Sequence, residues 1–307
     1  MIQVFIDGSA GTTGLKIAER LSARRDVTLL SLPETLRKDV SARREAINRA
    51  DVVFLCLPDD AAREAVTLVE NPNTIVIDAS TAHRTAEGWA YGFPELSNEH
   101  RKAISVSKRI ANPGCYASGF ISLVYPLVAH GVVDTDYPFV CHAVSGYSGA
   151  GKKGIEQYTA TDRAIEYDSP RLYGLTLSHK HLPEMQKVCG LKQKPLFNPY
   201  ICDFECGMLV NVPLYTGLFK RPVTVGQLAE LYREHYRGSR FVSVEREESG
   251  FLAANTINGT NNLQIFVNGN DDQMILSARL DNLGKGASGA AIQNMNLALG
   301  LDEGIGL

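Results

Sequence analysis

The chain has 307 residues, of which 44% are hydrophobic and 21% are charged, and its formal net charge is -3 at pH 7. This length exceeds what one hydrophobic core usually organises, so we expect two domains. The small net charge gives no reason to expect a nucleic-acid partner. No apolar run approaches the roughly 20 residues that a membrane helix needs, and the N-terminus enters a strand pattern without a signal peptide. We therefore expect a cytoplasmic protein without a membrane partner.

The first part of the chain alternates short apolar runs with helical patterns, which is typical of a parallel α/β sheet. The predicted elements are a strand at 4–7, a helix at 14–22, a strand at 27–31, a helix at 43–50, a strand at 51–57, a helix at 61–69, and strands at 74–78 and 106–111. The run at 52–57 is apolar on both faces, as a sheet covered by helices on both sides requires. We interpret the arginines at 20–25 and 43–44 as solvated helix faces.

Beyond residue 115 the pattern favours a mixed or antiparallel sheet. The predicted elements are an amphipathic helix at 117–129, strands at 139–144, 206–213, 264–268 and 274–280, an amphipathic helix at 223–236 and a final helix at 287–299. We therefore predict an α/β protein with two domains. Residues 1–114 form a Rossmann-like dinucleotide domain on which 287–307 packs back, and residues 115–286 form an α+β catalytic and oligomerisation domain.

A glycine-rich sequence separates the first strand from the first helix, with the spacing Gly-x-x-Gly-x-x-Gly. Glycines at these positions let the backbone turn sharply and approach a pyrophosphate, which then lies on free N–H groups at the helix N-terminus. The predicted dinucleotide contacts are Gly8, Ser9, Ala10, Gly11, Thr12, Thr13 and Gly14. The alternative is a plain strand–helix turn, because the spacing alone is only moderately specific.

The residues after the second strand bear on the choice between NAD and NADP. NAD sites usually place an acidic residue there to hold the ribose 2′-hydroxyl. Here the strand ends at Ser31, and Arg37 and Lys38 follow. A hydroxyl and nearby cations suit a 2′-phosphate, so we predict NADP. Glu34 keeps NAD open as the alternative, and the two cations are otherwise exposed loop residues.

Cys115 follows a strand and precedes a helix in the sequence Asn-Pro-Gly-Cys-Tyr at 112–116. A helix N-terminus stabilises a thiolate over a thiol, so we predict that Cys115 is a nucleophile. The other cysteines form no paired Cys-x-x-Cys motif, and we interpret them as buried free thiols at 56, 141, 189, 202 and 206. No metal site is predicted.

A thiolate enzyme needs an acid–base partner. His179 and His181 stand just before Pro183 and Glu184, which resemble the first turn of a helix. A helix N-terminus disfavours an imidazolium, so a histidine placed there remains a neutral base. The alternative is a pair of exposed loop histidines.

Five motifs together resemble the N-acetyl-γ-glutamyl-phosphate reductase family of arginine biosynthesis, over essentially the whole chain. They are the glycine loop at 8–14, Asn-Pro-Gly-Cys-Tyr at 112–116, Ser-Gly-Tyr-Ser-Gly-Ala-Gly at 145–151, His-Lys-His-Leu-Pro-Glu at 179–184 and Asp-Asn-Leu-Gly-Lys-Gly-Ala at 281–287. One departure is Lys180, where many members carry arginine. Lysine keeps the charge and loses the bidentate geometry.

The resemblance implies an NADPH-dependent reduction of an acyl phosphate to a semialdehyde. Cys115 would expel phosphate and form a thioester, which accepts hydride. His181 is implied as the acid–base group, with His179 as the competing candidate and Glu184 as an orienting or substrate-contacting residue. The implied cofactor contacts in the two glycine-rich motifs are Ser148, Gly149, Asn282, Lys285 and Gly286. Asn282 is also suited to cap the final helix.

Residues 78–84 follow the end of a strand, where ligands of open α/β sheets bind. We predict that Ser80 contacts the cofactor and that Arg84 holds the substrate's phosphate or α-carboxylate. A surface arginine is an equal alternative for Arg84. Asn112 and Ser145 are further predicted substrate contacts, and we expect a homo-oligomer.

Three other functions stay open. An aspartate-semialdehyde dehydrogenase shares the acyl-phosphate, thiol and NADPH chemistry, but the motifs at 112–116 and 179–184 disfavour it. A non-catalytic NADP-binding protein with Cys115 as a redox sensor leaves the paired histidines without a role. A plain thiol hydrolase leaves the glycine loop unexplained.

Overall fold

The computed structural model describes residues 1–246 and 249–307. The chain divides into two compact units. The first unit comprises Met1–Gly114 and Ala287–Leu307, and the second comprises Cys115–Gly286. In the described part of the chain, no helix is long and apolar enough to cross a membrane.

The first unit is built on a six-stranded sheet in the order β2-β1-β3-β4-β6-β5, and all its pairings are parallel. Its strands are β1 (Ile2–Asp7), β2 (Val27–Leu30), β3 (Val52–Leu55), β4 (Ile75–Asp78), β5 (Ala90–Tyr91) and β6 (Arg109–Ala111). Its first helices are α1 (Thr12–Ser22), α2 (Val40–Arg49), α3 (Asp59–Thr67) and α4 (Asn98–Val106). β3 is buried along its whole length, because apolar clusters cover both faces of the sheet.

Several features of the first unit differ from the prediction, and β5 was not predicted. Residues 98–106 form a helix whose N-cap, Ser97, accepts a hydrogen bond from the backbone N–H of His100, and the predicted strand at 106–111 begins only at Arg109. Arg24 and Arg43 are 8% and 7% exposed, so their interpretation as solvated is wrong. Each guanidinium has a carboxylate partner, which offsets the cost of burying its charge.

The second unit contains a seven-stranded mixed sheet in the order β11-β12-β13-β10-β7-β9-β8. Its strands are β7 (Val140–Gly146), β8 (Arg171–Leu172), β9 (Leu196–Cys202), β10 (Met208–Tyr215), β11 (Val242–Glu245), β12 (Leu263–Gly269) and β13 (Gln273–Leu280). Its helices are α5 (Cys115–Ala129), α6 (Gly151–Thr159), α7 (Leu182–Val188) and α8 (Val225–His235). The mixed sheet confirms the predicted fold class, although β8, β9, β11 and α6 were not predicted.

α5 carries the nucleophile candidate. It was predicted to be amphipathic, and this prediction is wrong, because eleven of its residues are buried. It packs against β10 and β13 of the sheet and against α7, so little of its surface meets solvent. The last helix, α9 (Gly289–Ala298), belongs to the first unit. It packs against α1, α4 and β4.

Candidate active site

Cys115 is the first residue of α5 and is partly exposed. Its thiol therefore lies where a helix N-terminus favours the thiolate, as the sequence predicts. Gly286, in a π-helical turn at Gly284–Ser288, packs directly against it. A Cβ added to Gly286 would lie 2.7 Å from the Cβ of Cys115. The backbone at Gly286 thus packs against one side of Cys115.

The two histidines of the 179–184 motif contact each other. His181 immediately precedes α7 and is 5% exposed, so it is not an exposed loop residue. Its backbone N–H donates to Nδ1 of His179 at 3.1 Å, and the two rings meet edge to face at 4.7 Å. Because Nδ1 of His179 accepts this hydrogen bond, the neutral His179 carries its proton on Nε2.

Two tyrosines lie between the histidines and Cys115 in the network of contacts. The ring of Tyr116 lies 5.8 Å from the ring of His179 and 6.0 Å from that of His181. The hydroxyl of Tyr173 is 3.5 Å from Nε2 of His179. Burial raises the pKa of both phenols, and the nearby charge of Cys115 raises it further. Both tyrosines therefore stay protonated and can donate hydrogen bonds.

Sequence reasoning missed Tyr173. It lies six residues before His179 in an irregular stretch, and no spacing rule marks it.

Ser145, a predicted substrate contact, is 2% exposed. Its hydroxyl donates to the carbonyl of Gly146 at 3.1 Å. A hydrogen bond between Ser145 and Tyr116 lowers the pKa of the Tyr116 phenol, but burial raises that pKa by more, so the net shift is upward.

Glu184 lies in the first turn of α7 and is 1% exposed. A carboxylate in the first turn is favoured by the helix dipole. Since His181 immediately precedes the same helix, the two side chains share one rigid element. The four predicted catalytic residues, Cys115, His179, His181 and Glu184, all lie in the second unit, where Tyr116 contacts both histidine rings.

Two of the predicted cofactor residues of the second unit, Ser148 and Asn282, form a buried hydrogen-bond network. The amide of Asn282 donates to the Ser148 hydroxyl at 3.0 Å and accepts from the Gly207 N–H at 2.8 Å. The alternative that Asn282 caps the final helix is wrong, since α9 begins at Gly289. A Cβ added to Gly149 would lie 3.3 Å from the Asn282 amide nitrogen. Lys285 is 2% exposed.

In the first unit, the glycine loop joins β1 to α1. Gly8 has a φ of +90°, and a Cβ there would lie 2.3 Å from the carbonyl oxygen of Cys56. A Cβ at Gly14 would lie 2.6 Å from the carbonyl oxygen of Gly8. A Cβ at Gly11 would not be crowded, because its nearest neighbour, the carbonyl oxygen of Gly8, would lie 3.6 Å away. Gly11 is also the N-cap of α1 and provides no side-chain cap, which leaves the helix terminus available to a phosphate.

A cavity of about 230 Å³ lies beside this loop. Its lining includes Gly8, Ser9 and Ala10 from the loop, and Ser31 and Arg37 from the segment after β2. Lys38 does not line it. Of the two predicted cations, the structure therefore brings only Arg37 to the cavity.

The predicted contacts at 80–112 make hydrogen bonds within the first unit. The hydroxyl of Ser80 donates to Asp78 at 2.7 Å. Arg84 donates from Nε to the Asn112 carbonyl at 2.9 Å and from Nη2 to the Ala79 carbonyl at 3.1 Å. Asn112 is 1% exposed, and its amide donates to the carbonyl of Ala287 at 3.0 Å. Their contacts to cofactor or substrate stay predictions.

All six cysteines are free thiols. Cys141, Cys189 and Cys202 are buried as predicted, whereas Cys56 and Cys206 are partly exposed. Desolvation raises the pKa of the Cys56 thiol to about 12. Among residues 1–246 and 249–307, no group of three or more His, Cys, Asp or Glu side chains is arranged to hold a metal ion.

Comparison with known proteins defines the class. Residues 3–104 match the NAD binding domain of semialdehyde dehydrogenases, and residues 115–282 match the semialdehyde dehydrogenase dimerisation domain. The structure of aspartate semialdehyde dehydrogenase II from Vibrio cholerae, complexed with ASA, superposes with a TM-score of 0.71 and 16% identity. The match covers 97% of this chain and 98% of that one. The fold is that of a semialdehyde dehydrogenase.

Curated relatives narrow this class. N-acetyl-gamma-glutamyl-phosphate reductase 2 of Nostoc sp. is 46% identical over 318 residues, with 99% of each chain covered. The protein of the same name from Pseudomonas putida is 48% identical over 303 residues, covering 97% of this chain and 96% of that one. The chain therefore belongs to the N-acetyl-gamma-glutamyl-phosphate reductase family, which confirms the resemblance predicted from the motifs. It is an oxidoreductase with a dinucleotide-binding domain.

Proposed function

We propose that the protein reduces N-acetyl-γ-glutamyl phosphate to N-acetylglutamate semialdehyde with NADPH and releases phosphate, in the cytoplasm, as a step of arginine biosynthesis. One observation carries the proposal: Cys115 begins a buried helix, and the ring of the next residue, Tyr116, lies beside the rings of His179 and His181. The relatives named for this substrate are 46–48% identical over nearly the whole chain.

Cys115 performs the covalent step. Its sulfur attacks the acyl carbon, the bond from that carbon to the phosphate oxygen breaks, and phosphate leaves with the electron pair. The N-terminus of α5 stabilises the thiolate that makes this attack. NADPH, when bound, would supply a hydride to the thioester carbonyl carbon. The carbon–sulfur bond then breaks, which forms the aldehyde and regenerates Cys115 as the thiolate.

His181 is the acid–base group in this proposal. It takes the proton of the Cys115 thiol before the attack and supports the collapse of the hydride adduct. The hydrogen bond that Nδ1 of His179 accepts from the backbone favours this choice. That ring presents an N–H on Nε2, which suits a hydrogen bond to substrate better than proton abstraction. Glu184 orients the start of α7.

The first unit fits a phosphorylated dinucleotide. Gly11 is not constrained by any close protein contact, which is expected where a pyrophosphate approaches the backbone. Ser31 and Arg37 line the cavity beside the loop, and a hydroxyl with a guanidinium suits a 2′-phosphate. We therefore propose NADP as the cofactor. The match of residues 115–282 to a dimerisation domain supports a homo-oligomer.

The direct test runs the reaction in the oxidative direction. NADP reduction is followed with inorganic phosphate and either N-acetylglutamate semialdehyde or aspartate semialdehyde. We expect phosphate-dependent turnover with the first aldehyde only. Turnover with aspartate semialdehyde, or with neither aldehyde, would overturn the proposed substrate. Cys115→Ser should be inactive, and Cys202→Ala, which alters a buried thiol, should retain activity.

A further inference from the structure

Asp78 and His83 form a buried acid–imidazole pair at the end of β4. Nδ1 of His83 lies 2.6 Å from Oδ2 of Asp78. Asp78 is fully buried, whereas the His83 side chain is 11% exposed. The backbone N–H and the hydroxyl of Ser80 also donate to this carboxylate. The mechanism above uses neither member of the pair.

The contact with Asp78 sets which nitrogen of His83 faces the carboxylate. Within the described residues, His83 is the one basic side chain in ion-pair contact with Asp78. A buried carboxylate is costly unless it is paired and hydrogen-bonded. With the carboxylate ionised, Nδ1 must carry a hydrogen, and Nε2 can donate only when the ring is charged.

The ring of His83 is also held in a single orientation. It stacks on the indole of Trp89, with ring centroids 4.0 Å apart and an angle of 14° between the planes. Nε2 makes no hydrogen bond to any residue of 1–246 or 249–307. A clamped ring with one open nitrogen is preorganised to bind a ligand, because little rotamer entropy is lost on binding.

His83 lies on the edge of the sheet where ligands of parallel α/β folds bind. Asp78 ends β4, and its carbonyl accepts the N–H of Asn112, which follows β6. The neighbouring cation, Arg84, donates from Nε and Nη2 to backbone carbonyls. Nε2 of His83 is therefore available to donate a hydrogen bond to an oxyanion at this edge of the sheet.

We propose that His83, oriented by Asp78 and Trp89, is a substrate-binding residue whose Nε2 donates to an oxyanion of the substrate. This inference rests on the proposed function, whose substrate carries two such groups, a phosphoryl group and a carboxylate. Both present the same chemistry to an imidazolium. In the oxidative direction they arrive on different molecules, inorganic phosphate and the semialdehyde, so each is titrated by itself.

Trp89 provides a direct readout, because it is the only tryptophan of the chain. A stacked imidazolium quenches indole fluorescence, so an oxyanion that fixes the charge on His83 should dim Trp89. The intact enzyme is titrated with inorganic phosphate and, separately, with N-acetylglutamate semialdehyde. A saturable decrease with phosphate identifies the phosphoryl group as the ligand, and one with the semialdehyde identifies the carboxylate.

The variant His83→Gln should lose this response. Its KM for the same anionic reactant should rise by about tenfold or more, the effect of one lost charge-assisted hydrogen bond. Its kcat should change by less than about threefold, and its KM for NADP should not change, as expected for a pure binding contact. The matched control is His100→Gln, since His100 belongs to the same unit and bonds Ser97 instead.

Three results would overturn the proposal. They are a wild-type fluorescence that responds to neither ligand, a response that persists in His83→Gln, and an unchanged KM for both reactants in that variant. His83→Asn replaces His83→Gln if the latter melts at a lower temperature than wild type. If wild-type enzyme reduces NADP with neither semialdehyde, the proposed function fails, and the phosphate titration still tests His83.

Discussion

Gly286 packs its α-carbon against the side chain of Cys115, and a Cβ at Gly286 would lie 2.7 Å from the Cβ of Cys115 and 3.3 Å from its Cα. These distances are too short for unstrained contact, so the position of Cys115 depends on the absence of a side chain at Gly286. The Gly286 N–H donates to the Asp281 carbonyl at 2.9 Å. This hydrogen bond limits how far the turn can move away from Cys115.

Gly286→Ala should therefore displace Cys115 and lower kcat. A misplacement of about 1 Å at a reacting group costs on the order of a hundredfold in rate. Steady-state kinetics with saturating substrates and a thermal melt separate this effect from unfolding. Gly217→Ala is the control, because nothing lies within 4 Å of a Cβ there. Wild-type kcat in Gly286→Ala would show that the contact does not position the thiol.

The glycine loop predicts two different outcomes for two similar substitutions. Gly14→Ala places a Cβ 2.6 Å from the Gly8 carbonyl, so it should destabilise the fold by about 1–3 kcal/mol, as overpacking does. Gly11→Ala meets only a 3.6 Å contact and should leave the melting temperature near wild type. It should raise KM for NADP, because we propose that the pyrophosphate approaches the backbone at this position. Chemical denaturation and cofactor titration measure the two effects. An unchanged KM in Gly11→Ala would contradict this placement of the pyrophosphate.

Sequence patterns predicted the parallel sheet well, because buried strands such as β3 are apolar on both faces and stand out from the helices around them. The predictions of exposure were wrong where charged or polar side chains are buried. Arg43 was interpreted as solvated, yet it is buried against Asp7 at 2.9 Å, a partner 36 positions away that local spacing does not reveal. The same holds for α5, whose polar residues Ser118 and Ser122 are buried.

The positions of candidate site residues were predictable where a single element determines them. Cys115 and His181 each stand at the start of a helix, and that position is visible in the sequence. The contacts of Tyr173 with His179 and of Asn282 with Ser148 join distant segments. They depend on tertiary structure, which spacing does not encode.

Cofactor choice should depend on Arg37 rather than on Lys38. Arg37 lines the cavity beside the glycine loop and Lys38 does not. The ratio of kcat/KM for NADPH to that for NADH should exceed one in the parent enzyme. Arg37→Ala should narrow it by about tenfold or more, since a charge-assisted contact to the 2′-phosphate is lost. Lys38→Ala is the matched control and should leave the ratio nearly unchanged. Equal efficiency with both cofactors in the parent would refute the NADP assignment.

The two histidines should separate kinetically. His181→Ala should lower kcat by roughly a hundred- to ten-thousandfold, as expected for a lost acid–base group. His179→Ala should raise KM more than it lowers kcat, because its Nε2–H suits a binding contact. Tyr173→Phe is a useful companion, since it removes the hydroxyl 3.5 Å from His179 and should follow the His179 pattern. A collapse of kcat confined to His179→Ala would reverse the assignment.

Trapping the acyl-enzyme tests the central claim most directly. The enzyme is mixed with N-acetyl-γ-glutamyl phosphate without NADPH, quenched in acid, digested and analysed by mass spectrometry. We predict an N-acetylglutamyl group on the peptide that contains Cys115, which disappears when NADPH is added before the quench. Cys115→Ser should show no such thioester. An unmodified Cys115 peptide, or the same adduct on Cys206, which is also partly exposed, would contradict the account.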